Sequence, residues 1–245
     1  MIDRACGWFV RVLTSLGRHE RATIISLLVF CGGIWGFVEL ADEVLEGSTD
    51  SIDRRILLAL RNPADVTDPL GPRWVEELMR DMTGLGGVGV VSLVSIGVSG
   101  FLLLERKYRT MFLLLVAIGG GIVVSLLLKQ AFARPRPDLV PHGSHVYTSS
   151  FPSGHSMMAA VTYLTIGALL ARAHEGAAIK AYVIILATLL TAAVGISRVY
   201  LGVHWPTDVL AGWTTGGCWA VLCWTIANRL QRRGEIEPES NVLTP

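Results

Sequence analysis

Apolar residues in this chain gather into six blocks separated by polar segments, at residues 22–41, 83–104, 110–128, 154–173, 181–196 and 208–228. Each meets or approaches the roughly 20 residues that a helix rising about 1.5 Å per residue needs to cross a ~30 Å hydrocarbon layer. The fifth block is short, so its helix is expected to continue into Ser197–Tyr200. Small residues are dense inside the blocks, as in Gly119-Gly120-Gly121 and Thr214-Thr215-Gly216-Gly217. They let helices approach closely where packing drives association in lipid. The pattern predicts an all-α polytopic membrane protein, a six-transmembrane-helix bundle formed by residues 22–228.

A longer segment, residues 42–82, separates the first two blocks. In it Ile52, Ile56, Leu57 and Leu60 recur at helical spacing opposite Asp53, Arg54 and Arg61, before Pro63, Pro69 and Pro72 interrupt the chain. Residues 73–82 could form another short helix. This predicts amphipathic helices lying on the membrane surface, or else an extramembrane cap over the bundle. The first block is too long for a cleaved signal and lacks a small-residue cleavage site, so it reads as a retained anchor. Six spans put both termini on one face, residues 1–21 and a polar tail, 229–245, that is expected to be disordered. That face collects Arg4, Arg11, Arg18, Arg21, Arg106, Lys107, Arg109, Arg172, Lys180, Arg229, Arg232 and Arg233, twelve of the 21 Lys and Arg residues. The positive-inside bias makes it cytoplasmic, with the opposite face periplasmic or exterior in a cell (inner) membrane.

Composition agrees: 51% of residues are apolar, mean hydropathy is +0.51, and 17% are charged against about 25% in soluble domains. A net charge of +1 gives no electrostatic case for nucleic acid. Of the four cysteines, Cys31, Cys218 and Cys223 fall in apolar blocks and Cys6 outside them. No C-x-x-C pair signals zinc or redox chemistry.

Three polar segments sit at the ends of these helices, and serpentine threading brings them to one face. Lys129 to Pro137 closes the third block, Pro152-Ser153-Gly154-His155 opens the fourth, and Ser197-Arg198 through His204 to Asp208 joins the fifth to the sixth. Lys129, Arg136 and Arg198 supply concentrated positive charge, and guanidinium forks match phosphate oxygens. Ser153 and Gly154 stand where a helix begins, so free N–H groups and the helix dipole favour an anion. Asp208 follows His204 by four residues, near enough to hold Nδ1–H and leave Nε2 as a nucleophile toward phosphorus. His155 is placed to protonate the leaving oxygen as general acid and then to activate water.

K-x6-R-P at Lys129–Pro137, P-S-G-H at Pro152–His155 and S-R-x5-H-x3-D at Ser197–Asp208 resemble the three signatures of the type 2 phosphatidic acid phosphatase superfamily. Its members include lipid phosphate phosphatases, undecaprenyl diphosphate phosphatases, glucose-6-phosphatase and vanadium haloperoxidases. The resemblance implies that Lys129, Arg136, Ser153, Gly154 and Arg198 bind phosphate, that His155 is the acid, His204 the nucleophile and Asp208 its orienting partner. It implies a metal-independent phosphatase without cofactor, acting through a phosphohistidine on a lipid monoester or diphosphate of the undecaprenyl diphosphate, phosphatidylglycerophosphate or phosphatidic acid type. Its partners would be that substrate and membrane lipids.

Other readings compete. The same site would suit a phosphotransferase or a phosphatase for another ester, and basic residues in a membrane bundle also suit an anion transporter, although these sit at helix ends. His142 and His145 form an H-x-x-H pair, but no carboxylate cluster accompanies them to make a metal site. Arg134 falls outside the motif spacing and is expected only to contact headgroups. Trp35, Trp205, Trp213, Trp219 and Trp224 are candidates for an interfacial belt, Trp205 also for the site wall.

Overall fold

The computed structural model describes residues 17–138 and 149–234. Cys6, His142, His145 and most of the two terminal segments lie outside the described residues. Helix α1 covers Arg18–Glu46, followed by a short α2 at Asp50–Leu58, strands β1 (Arg61–Asn62) and β2 (Asp65–Pro69), and α3 at Arg73–Gly84. Then come α4 (Val88–Leu104), α5 (Tyr108–Ala131), α6 (Gly154–Arg172), α7 (Ala177–Tyr200) and α8 (Pro206–Arg232). Five of these are long and apolar enough to cross a membrane, and α3 with α4, bent by 52° at Leu85–Gly87, makes a sixth when the pair is counted as one broken span.

The spans outrun their apolar blocks because the helices continue into interfacial residues: α1 ends at Gly47 in a left-handed cap (φ 76°), and α7 takes in Ser197–Tyr200 as expected. Isoleucines, leucines and valines cover the bundle's outside, including Leu93, Ile96, Leu104 and Leu189, which is the surface a lipid-embedded bundle presents. A π-type turn at Ala160–Leu164 interrupts α6. Span α8 is central. A Cβ on Gly212 would sit 2.7 Å from the Ser153 carbonyl, and one on Gly216 2.5 Å from that of Met157, so two glycines four apart let α8 lie directly on the start of α6. Trp213 and Trp219 tie α8 to its neighbours, with Nε1 donating to Thr191 O at 3.0 Å and to Ala117 O at 2.7 Å.

Segment 42–82 turns a polar stripe toward the bundle. Asp53 and Arg61 are buried at 1% and 2% exposure, whereas Ile52 and Ile56 are exposed. Thr49, Asp53 and Leu57, spaced by four, form the inward stripe. In a membrane-surface helix the exposed isoleucines can face lipid, while the bundle's polar end offers partners for a carboxylate. The segment is also not wholly helical: β1 and β2 pair antiparallel, with Arg61 opposite Pro69 and Asn62 opposite Asp65.

Candidate active site

The three polar segments meet at one end of the bundle. Lys129, in the last turn of α5, donates from Nζ to the Ser149 carbonyl at 3.0 Å. A Cβ on Gly154 would stand 3.2 Å from Lys129 Cε, so glycine there lets the lysine lie across the start of α6. Ser153 caps that helix: its Oγ accepts from the Ser156 N–H at 3.5 Å and the Ser156 hydroxyl at 2.9 Å. That leaves the Ser153 O–H proton to donate, whereas its N–H, expected to be free for an anion, is taken by the Asp208 carbonyl at 2.9 Å. Arg198, near the end of α7, donates from Nη1 to Thr83 Oγ1 at 3.0 Å, and its buried Nε has no partner among the described residues.

His204 is 1% exposed and lies between Asp208 and Arg136. Arginine carries donors only, so Arg136 Nη1 at 3.1 Å from His204 Nε2 requires a lone pair on that nitrogen. The ring proton is then on Nδ1, 3.3 Å from Asp208 Oδ2. Burial, foremost, pushes the His204 pKa down to about 4; Arg198 and Arg136 act the same way, and Asp208 opposes them. A neutral imidazole with a bare Nε2 beside guanidinium donors is set up to attack an electrophile carrying negative oxygens. His155 joins the group: Arg198, His204, Lys129 and Arg136 all act electrostatically on its ring, and at the α3–α4 bend a Cβ on Gly86 would stand 2.8 Å from the His155 carbonyl oxygen, so glycine there lets the bend lie against that residue.

Asp208 is fully buried, in the first turn of α8. Oδ2 accepts from the Trp205 N–H at 2.9 Å and from the Ser150 hydroxyl, and Oδ1 accepts from Arg134 Nη1 at 2.9 Å. Arg134 also reaches Asp53 Oδ2 at 2.7 Å. The expectation that Arg134 merely contacts headgroups is therefore corrected. Its side chain is 9% exposed, and although burial weighs against the charge, Asp208 and Asp53 outweigh it and raise the pKa.

Arg134, Ser150, Asp53 and Thr83 are the site residues that the sequence did not point to. Arg134 carried one signal, an arginine two residues before another in a proline-flanked loop; the others were unremarkable polar residues. Trp205 lines the site as expected, donating to Pro135 O at 3.0 Å with its ring 5.6 Å from the Arg134 guanidinium carbon. Among the described residues no three His, Cys, Asp or Glu side chains gather as a metal site would require.

Two grooves adjoin this centre. One, of about 660 Å³, has apolar walls at Val44, Leu45 and Phe132 and a charged side where Arg54, Arg134 and Arg136 stand with Asp50 and Asp138. The other, of about 210 Å³, runs between α4, α5 and α6 past Gly86, Val91, Ile118 and Met158 and is almost wholly apolar.

A six-span bundle with a histidine–carboxylate pair inside a cationic cradle defines a membrane phosphoryl-transfer enzyme, and comparison with known proteins gives the family. Residues 110–232 match the PAP2 superfamily. Phosphatidylglycerophosphatase B of Bacillus subtilis is 33% identical over 201 residues, covering 78% of this chain and 88% of that protein. Undecaprenyl-diphosphatase of Sulfolobus acidocaldarius is 30% identical over 129 residues, covering 50% of this chain and 58% of its own length. The crystal structure of a transmembrane PAP2-type phosphatidylglycerolphosphate phosphatase from Bacillus subtilis matches with a TM-score of 0.73 and 30% identity, over 84% of this chain and 98% of that one. This chain belongs to the PAP2 superfamily and is a multi-pass membrane phosphatase.

Proposed function

We propose that this enzyme removes a phosphoryl group from a lipid phosphate or diphosphate at the extracytoplasmic face, through a phosphohistidine at His204 and without a metal. The observation that carries the reading is the Arg136 contact to His204 Nε2, which fixes the lone pair on that nitrogen. A phosphate entering between them takes its oxygens to Arg136, Arg198, Lys129 and the N-terminus of α6. His204 Nε2 then attacks phosphorus, the P–O bond to the lipid breaks, and His155 gives its proton to the departing oxygen. In the second step water attacks phosphorus, His155 takes the water proton, and the P–N bond breaks to release phosphate. Asp208 steadies the positive charge that grows on the His204 ring, and the fixed cations stabilise charge on the equatorial oxygens.

The apolar grooves beside the cradle and the lipid substrates in the relatives' names support a lipid as substrate. The basic turns at Arg106, Lys107 and Arg109, and at Arg172 and Lys180, lie at the other end of the bundle and support the orientation. The test is phosphate release by purified protein against phosphatidylglycerophosphate, undecaprenyl diphosphate, phosphatidic acid and soluble sugar phosphates. Turnover of at least one lipid well above the soluble esters is expected; preference for the soluble esters would overturn the lipid reading.

A further inference from the structure

Helix α8 begins with a deficit. Its capping position is Trp205, whose side chain offers no acceptor, and Pro206 follows without an N–H. The first helical N–H that needs an acceptor is that of Thr207, and Asp53 Oδ1, 154 residues away in sequence, accepts it at 3.0 Å. Asp53 Oδ2 accepts the Thr207 hydroxyl at 2.5 Å and Arg134 Nη2 at 2.7 Å. Arg134 Nη1 in turn donates to Thr207 Oγ1 at 2.7 Å and Asp208 Oδ1 at 2.9 Å. One carboxylate on a surface helix thus holds both the backbone that carries Asp208 and the arginine that fixes one of its oxygens.

The same segment grips the other end of the loop that bears His204. Arg61 Nη2 donates to the Tyr200 carbonyl, the last residue of α7, at 2.7 Å. A base at the C-terminus of α7 and an acid at the N-terminus of α8 both complement the helix dipoles. Residues 201–205, with His204 among them, span the distance between these two clamps.

We propose that Asp53 is a positioning residue of the reaction, holding the His204–Asp208 pair in register through Arg134 and Thr207. This rests on the reading of His204 as the nucleophile. The His204 Nδ1 to Asp208 Oδ2 separation of 3.3 Å is already at the long end of a hydrogen bond, so a shift of a few tenths of an ångström in Asp208 releases the ring. Two nitrogens of one guanidinium serve two carboxylates here, which an ammonium cannot imitate.

The experiment is a kinetic cycle on purified protein with a lipid phosphate substrate, comparing wild type, Asp53→Asn, Asp208→Asn and the double variant. Asp53→Asn should lower kcat by about 10–100-fold, because misplacing reacting groups costs this much, while KM stays within about threefold. In the Asp208→Asn background the same change should cost less than about threefold, because the route through Asp208 is already cut. An equal loss in both backgrounds, or a rise in KM matching the fall in kcat, would reduce Asp53 to a structural cap and overturn the proposal. Where Asp53→Asn does not fold, Arg134→Lys keeps the charge but not the fork and is judged by the same two criteria. His204→Ala is run alongside. If it still turns over, the reading of the site itself falls; if it is dead and Asp53→Asn is fully active, only the role of Asp53 falls.

Discussion

Replacing Arg134 by methionine keeps the length and apolar stem of the side chain but strands two carboxylates. Asp53 and Asp208 are 1% and 0% exposed, and Arg134 is their shared counter-ion at 2.7 and 2.9 Å. Removing one partner of a buried ion pair typically costs about 3–5 kcal/mol, because the charge left behind cannot be rehydrated. For a chain of this size that is a fall of roughly 6–20 °C in the unfolding midpoint, taking 2–4 °C per kcal/mol. The internal control is Arg80→Met. Arg80 pairs with Glu76 at 2.6 Å, a shorter contact, but its side chain is 68% exposed. A pair screened by solvent is worth about 0–1 kcal/mol, so this variant should unfold within a few degrees of wild type. Both are measured by thermal unfolding of purified protein in one detergent, followed by circular dichroism and loss of activity. Equal midpoints for the two variants would refute the view that Arg134 neutralises a buried acidic pair.

Three shorter predictions follow. His204, pushed down to about 4, is neutral in the folded protein at pH 5, where an unfolded histidine is charged; the folded state binds fewer protons between about 4 and 6.5, so its stability falls as pH drops through that window. Imidazole chemical shifts of His204 that titrate near 6.5 would contradict the buried, cation-flanked ring. Because Lys129, Arg136 and Arg198 supply the charge a metal would bring, activity should be full in EDTA; loss in chelator with recovery in Mg²⁺ would count against the cationic cradle. In protein whose four native cysteines are replaced, Ala64→Cys in the exposed β1–β2 turn should react with an impermeant maleimide in intact cells or spheroplasts, and labelling only after lysis would invert the topology.

Most of the fold could be read from the chain because a bilayer imposes one crude rule, some twenty apolar residues per crossing, and six blocks obey it. The candidate residues stood out for a related reason: Lys129, His155, Arg198, His204 and Asp208 are costly residues placed at the ends of apolar helices, and the fold brings those ends together. The burial of Asp53 and Arg61 was not legible, because periodicity shows that a helix has two faces and not which face meets protein. In water the isoleucine side would turn inward; against lipid it can turn outward, and here it does. Arg134 was misjudged because an arginine at a membrane surface usually snorkels. Its true partners lie 81 and 74 residues away in sequence, a separation no local pattern encodes.

The central claim is that phosphorus bonds to His204, and trapping that bond tests it most directly. Purified wild type, His155→Ala and His204→Ala are mixed with substrate labelled in its phosphoryl group, quenched in alkali within milliseconds, and mapped by mass spectrometry. An acid-labile phosphohistidine should appear on His204 and, with an aryl phosphate whose leaving group needs little protonation, accumulate in His155→Ala, where water attack is slowed by about 10²–10⁴-fold. It should be absent from His204→Ala, which should also lack turnover. Label on His155, or label that survives in His204→Ala, would contradict the account.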